Sequence, residues 1–238
     1  MLRENNLNKL IAALERRGSP FDVITVDTTG QLVPEVSPDG PVMVSGATRM
    51  ATIAAARGWS PGSFLNENFR FDLWLAELGS DLLNSDATVC RLGEVQITAP
   101  RFLRPVEDSK AFDGKVFDRA GLDELKTAHP DLADCFVATS VARTLYREYR
   151  LFVVAGEIVT GSLYRQGGQP LQSPDVDPEV VAYGRSILAR WQPAEAFVLD
   201  VGLSDLGYRV VEFNNINGCG FYAADVDRYV EAIESSFS

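Results

Sequence analysis

Apolar positions along this chain alternate between a helical and a strand period. Leu7, Leu10, Ile11 and Leu14 recur at helical spacing and Gly18 follows, which predicts a first helix that stops there. Residues 21–26 form a short β-rich run, and the polar, turn-rich stretch after it predicts a loop. Residues 42–44 predict a strand leading into a helix over 48–57. Phe71, Trp74, Leu75 and Leu78 line one side of a helix within 69–78. Residues 1–95 thus form an N-terminal α/β lobe with no obvious chemistry of its own.

From residue 96 the pattern changes. RFLRPVEDSKAFDGKVFD holds two short strand-like runs around a polar loop, with Arg104 inside an apolar run. A helix is expected over 121–128 and a buried strand over 135–138. EYRLFVVAGEIVTGSLYR has the pattern of a hairpin with Ala155-Gly156 near its turn. Alternation puts Glu148 and Arg150 on one face of its first strand, opposite Tyr149, Leu151 and Val153. Residues 167–177 predict a loop rich in Gly, Pro and Ser, followed by a helix over 177–191 with Pro178 in its first turn. Asp225 caps a last helix through Ile233.

The richest stretch for chemistry is FVLDVGLSDLGYRVVEFNNINGCGFY, residues 197–222. Two apolar runs flank a Ser-Asp-Leu-Gly turn. A three-residue loop closed by Gly207 pairs Ser204 with Tyr208 and sets Asp200 opposite Glu212, with Cα atoms roughly 5 Å apart. Glu212 and Asn214 are two apart on a strand and so share a face. Two carboxylates and an amide oxygen on one patch are hard oxygen ligands of the kind Mg²⁺ takes. Without a cation they would repel and drive one pKa upward. The bland alternative is a solvated hairpin face, but Val198, Val201 and Val210 nearby favour a half-buried one, where unpaired carboxylates are costly. For Glu148 and Arg150 it is a weak surface salt bridge.

Composition narrows the classes. Of 238 residues, 46% are hydrophobic and 23% charged, an ordinary globular balance. The net charge of −11 argues against nucleic-acid and anionic-membrane partners, which need a basic surface. Three scattered cysteines make neither a disulfide framework nor a zinc pattern, and Cys219 reads as a structural thiol. A single histidine, His129, makes His-based zinc or triad chemistry unexpected. No apolar run reaches the ~18 residues of a membrane span, and the N-terminus has no apolar signal core. The expected setting is the cytoplasm. No oligomerisation strip is legible.

The order of features resembles the ATP-grasp superfamily, and more narrowly its R-two-K clade of predicted carboxylate–amine ligases. A basic residue before Pro on a strand comes first, then a loop with Lys, an acidic-aromatic-Arg hairpin, Asp on one strand and Glu-x-Asn on the next. The likeness covers roughly residues 96–238. It implies an α+β, ATP-grasp fold, in which two α+β lobes clasp ATP behind the N-terminal α/β lobe. It also implies ATP and Mg²⁺ as cofactors, with small-molecule or peptide carboxylate and amine substrates joined through an acylphosphate. By resemblance Asp200, Glu212 and Asn214 hold Mg²⁺. Arg104, Lys110 and Lys115 neutralise phosphates, and Phe136, Val137, Ala138 and Thr139 line the adenine slot. Arg150 and Arg165 clamp the reacting oxyanions, and Glu148 orients Arg150 or an amine. The chain departs from the wider superfamily in carrying Arg104 where Lys is usual, and Ser140 near the place of the acid that holds the ribose. The rival reading is a non-catalytic nucleotide-binding or interaction module that keeps the fold; a third is a metal-dependent hydrolase.

Overall fold

The structure is a computed structural model that describes residues 2–107 and 111–237. Its centre is an antiparallel sheet of five strands, in the order β11-β10-β9-β12-β13. These are β9 (Leu145–Val154), β10 (Glu157–Gln166), β11 (Gln169–Ser173), β12 (Ala196–Ser204) and β13 (Gly207–Asn214). A second antiparallel sheet, β5-β8-β6-β7, is built from β5 (Thr88–Arg91), β6 (Arg101–Pro105), β7 (Lys115–Phe117) and β8 (Phe136–Val141). The boundary expected at residue 96 cuts across this smaller sheet, because β5 lies before it.

Both faces of the large sheet are covered. Tyr149, Leu151, Val153, Phe197, Leu199 and Val201 pack with α3 (Phe71–Leu78) and α5 (Pro178–Leu188). Phe152, Val154, Ala196 and Val198 pack with α1 (Leu2–Arg17) and α6 (Val226–Phe237) on the other side. Double coverage explains why residues 148–154 of β9 are buried without interruption. The smaller sheet has its own core of Leu92, Leu103, Phe117 and Val137 over α4 (Arg119–Ala128), which Asp118 caps by accepting from Gly121 N.

Before β5, the described residues of the first lobe form two-residue strands. They are β1 (Thr25–Val26), β2 (Leu32–Val33), β3 (Val42–Met43) and β4 (Pro61–Gly62), beside α2 (Arg49–Arg57). The short β-rich run expected over 21–26 narrows to β1, which pairs with β2. This lobe is fastened to the end of β13 through buried Asn217. Its Nδ2 donates to Val44 O at 2.7 Å and its Oδ1 accepts from Phe64 N at 2.9 Å. No helix among the described residues is long and apolar enough to cross a membrane.

Two expectations need correction. The loop expected over 167–177 contains strand β11, which turns back from β10 through Gly167 and Gly168, both at positive φ. Pro170 is tolerated there because an edge strand needs no donor on its outer side. The β12–β13 loop has two residues, Asp205 and Leu206, with Ser204 opposite Gly207 at φ +82°. A bulge at Val211 then supplies one extra residue on β13, so Asp200 faces Glu212 after all.

Candidate functional site

Three adjacent strands set a row of charges side by side. Arg150 of β9 is opposite Asp200 of β12, which is opposite Glu212 of β13. Arg150 grips Asp200 with both arms of its fork, Nε to Oδ1 at 2.9 Å and Nη2 to Oδ2 at 2.7 Å, and donates from Nη1 to Gly220 O at 3.3 Å. Asp200 is fully buried and the Arg150 side chain is 10% exposed. Asn214 Nδ2 bridges the acids, 3.1 Å from Asp200 Oδ2 and 2.9 Å from Glu212 Oε1.

The second arginine comes from the other sheet. Arg104 of β6 donates from Nη1 to Glu212 Oε2 at 3.2 Å, while its guanidinium lies 4.8 Å from the Trp74 ring centroid and 5.6 Å from that of Phe71. Two acids are therefore bracketed by two cations, one from each sheet. Burial pushes the Asp200 carboxyl up to about 6 against the pull of Arg150. Burial pushes Glu212 up too, but Arg104 and the Asn214 hydrogen bond outweigh it and leave that carboxyl below its ordinary value. Burial likewise works against the Arg150 charge, and Asp200 overcomes it to hold the guanidinium firmly protonated.

Glu148 lies on the same face, its side chain 9% exposed, and accepts from Tyr164 Oη at 3.1 Å and Arg165 Nη1 at 3.2 Å. A bulge at Tyr164 breaks the alternation of β10 and brings both neighbours to one carboxylate. Tyr164 stacks on Tyr222 with centroids 4.9 Å apart and an 11° interplanar angle, and Arg150 lies 5.6 and 5.0 Å from the two ring centroids. Tyr222 sits at φ +50°, a conformation that costs a bulky residue on the order of 1–3 kcal/mol and tends to mark functional segments.

On the smaller sheet, Lys115 is exposed at the start of edge strand β7 with its Nζ 5.0 Å from the Phe117 centroid, and Lys110 lies outside the described residues. Gly114 itself lies close against Arg104: a Cβ there would come within 3.1 Å of the Arg104 Cβ. Of the four residues expected to line an adenine slot, Phe136 is exposed and Val137, Ala138 and Thr139 are buried. Val137 belongs to the sheet's own core, whereas Ala138 joins the core shared with the large sheet. Buried Ser140 Oγ has no hydrogen-bond partner among the described residues.

Two carboxylates and an amide suit Mg²⁺ in kind, and a cation would relieve the burial that lifts Asp200. The described residues contain no group of three or more His, Cys, Asp or Glu side chains placed to hold a metal, so a cation here would need a further ligand such as the amide of Asn214. Sequence reasoning overlooked Tyr164 and read Trp74 only as one side of a helix. A bulge hides the first from a period-two reading, and the second shows its ring to Arg104 only where α3 meets β6.

The sequence from residue 29 to residue 233 matches the model of the ATP-grasp domain, R-two-K clade family 3. The chain belongs to this family. The match begins well before residue 96, so the R-two-K likeness takes in most of the N-terminal lobe. Solved structures share the ATP-grasp fold at low identity. D-alanine–D-alanine ligase from Bacillus anthracis aligns over 98% of this chain and 87% of its own, with 15% identity and a TM-score of 0.65. D-cycloserine synthetase aligns over 98% and 95%, with 13% identity and a TM-score of 0.61. The ATP-grasp ligase PsnB, complexed with a precursor peptide and AMPPNP, aligns over 98% and 93%, with 13% identity and a TM-score of 0.55. Against PsnB with its minimal precursor the chain spans 60% of that protein's length, at 15% identity over 71% of this chain and a TM-score of 0.48. No curated protein matches the sequence.

Proposed function

We propose that this R-two-K family protein is an ATP- and Mg²⁺-dependent carboxylate–amine ligase. In this reading the terminal phosphoryl group of ATP passes to a carboxylate, releasing ADP, and an amine then displaces phosphate from the acylphosphate to leave an amide. The observation that carries it is the row Arg150–Asp200–Glu212, met by Arg104 from the opposite sheet. Phosphoryl transfer asks the protein mainly for fixed cations and positioning, and this row provides both.

Asp200, Glu212 and Asn214 would hold Mg²⁺, which supplies positive charge to the phosphates. Arg104, with Lys110 and Lys115, neutralises phosphate from the smaller lobe, and residues 136–139 of β8 flank the base. Arg150 is anchored on Asp200 and presents its Nη1 edge to the transferred oxyanion. Exposed Arg165 clamps the substrate carboxylate, and Glu148 steers it or receives the amine. Residues 96–238 carry most of these groups behind the lobe formed by residues 1–95. The substrates we place as small-molecule or peptide carboxylates and amines, since the neighbours act on D-alanine in one case and are bound to a precursor peptide in another. The acidic chain is assigned to the cytoplasm.

A second reading, a nucleotide-holding module without turnover, draws on one observation. All four carboxylate oxygens of Asp200 and Glu212 are already bonded by protein groups. The two readings part in the assay. ADP release from Mg-ATP is expected across a panel of paired carboxylates and amines, and Glu212→Gln is expected to lower it roughly a hundredfold, the scale of removing one charge-stabilising group. A rate unchanged in Glu212→Gln ends the metal assignment. Thermal stabilisation by ATP that ignores Mg²⁺, with no ADP formed, favours the module.

A further inference from the structure

We infer that helix α1, which precedes the family-matched span, is a working part of the Arg150 site. It acts through Tyr222, a positioning residue that locks the Arg150 guanidinium against Asp200. The family match begins at residue 29, whereas α1 ends at Arg17. Asn6 and Lys9 are three apart on α1 and so share a face. Both reach the irregular segment after Gly218 that passes over Arg150.

Three successive residues of that segment are held in turn. Gly220 O accepts from Arg150 Nη1 at 3.3 Å, Phe221 N donates to Asn6 Oδ1 at 3.1 Å, and Tyr222 O accepts from the Lys9 ammonium. The next turn is tied to β10, since Ala223 N donates to Ser162 Oγ at 3.2 Å and Asp225 N to Thr160 Oγ1 at 2.9 Å. Such dense fastening holds Tyr222 at φ +50°, which its bulk would otherwise disfavour. The approach is also close at Gly220, where a Cβ would lie 3.2 Å from Asn6 Nδ2, a tight contact, and 3.8 Å from Arg150 Nη1, an ordinary one.

The outcome of this bracing is the ring of Tyr222 stacked on Tyr164 with Arg150 beside both. Ring faces attract a guanidinium, most strongly when water is excluded, as it is at this 10% exposed side chain. The far end of α1 is anchored independently. Arg16 pairs with Asp227 at 2.6 Å and Arg17 with Glu234 at 3.0 Å, both on α6. The helix is thus fixed at one end to the body of the protein and at the other to the segment that carries Tyr222.

The test reads Arg150 directly and needs no ATP, so it stands or falls apart from the ligase proposal. Hydrogen exchange of the Arg150 Nε–H, identified by its loss in Arg150→Lys, reports how often the guanidinium leaves Asp200. Tyr222→Leu keeps bulk and φ but removes the ring, and it is expected to speed exchange roughly ten- to thirty-fold, the worth of a desolvated cation–π contact. Tyr222→Phe keeps the ring and should match the parent. Lys9→Met removes only the ammonium and should speed exchange in the same direction. Parental exchange in Tyr222→Leu overturns the role of the ring, and parental exchange in Lys9→Met overturns the role of α1. Where the parent turns over Mg-ATP, Tyr222→Leu should lower kcat and leave the KM for ATP within about twofold. A loss confined to KM would also overturn the positioning role.

Discussion

On one face of β9 and β12 stand Tyr149, Leu151, Val153, Phe197, Leu199 and Val201, packed dry against α3 and α5. On the other stand Arg150, Phe152, Val198 and Asp200, closed over by α1, α6 and the 216–222 segment. The same two strands, by the same alternation, build an apolar core on one side and a buried ion pair on the other. A buried pair is a poor way to gain stability, because desolvation cancels most of the Coulomb attraction, and apolar residues of similar size often do as well. Under the proposed function, the charged face is kept for what Arg150 and Asp200 do rather than for what they stabilise.

That contrast breaks most visibly at Asp200. Asp200→Ala leaves the Arg150 guanidinium buried without its partner and should cost about 3–5 kcal/mol in urea unfolding. The double change Arg150→Met with Asp200→Leu removes both charges and should recover most of that loss, while nucleotide turnover stays absent. A double variant no more stable than Asp200→Ala would mean that the pair does hold the fold together. The dry face should behave in the opposite way. Leu199→Ala is expected to cost about 2–5 kcal/mol through lost burial and a cavity. The rise in Tm expected from Mg-ATP, read for each protein against its own nucleotide-free Tm, should survive it. Loss of that response with the fold intact would show that the two faces are coupled through β12.

What the sequence disclosed follows the same division. Period-two alternation is local, so the sharing of one face by Glu148 and Arg150, and by Glu212 and Asn214, was readable. The facing of Asp200 and Glu212 was readable as well, although by a route that hides two changes: a shorter turn and a bulge at Val211 offset each other. Interactions across chain-distant parts left no such mark. The partner of Arg104 is 108 residues away on another sheet, and Asn6 meets Phe221 across 215 residues. Strand β5 was missed because four residues, three of them exposed, show too little alternation to stand out, and its pairing with β8 makes it a strand.

The finest distinction between the faces lies in their response to pH. The dry face carries no carboxylate between its strands, whereas Asp200 has a folded-state pKa raised by burial to about 6, above the ordinary 3.8. A raised acid favours the fold in its protonated form. Its contribution is full below pH 3.8 and is lost as pH rises through about 6. Glu212 runs the other way. Its lowered pKa adds stability above the ordinary carboxylate range that disappears in acid, so the parent's total curve mixes the two. Comparing the parent with Asp200→Asn isolates Asp200 together with its coupling to Glu212, because Asn does not titrate. Between pH 4 and pH 7, in EDTA so that no divalent cation fills the site, the parent should lose about 2 kcal/mol more than Asp200→Asn. The comparison concerns slopes, since Asp200→Asn also weakens the hold on Arg150 and lowers stability at every pH. Parallel curves would place Asp200 at an ordinary pKa, with the Arg150 fork compensating its burial in full. Asp200 would then add nothing to the pH dependence of the charged face, which would rest on Glu212.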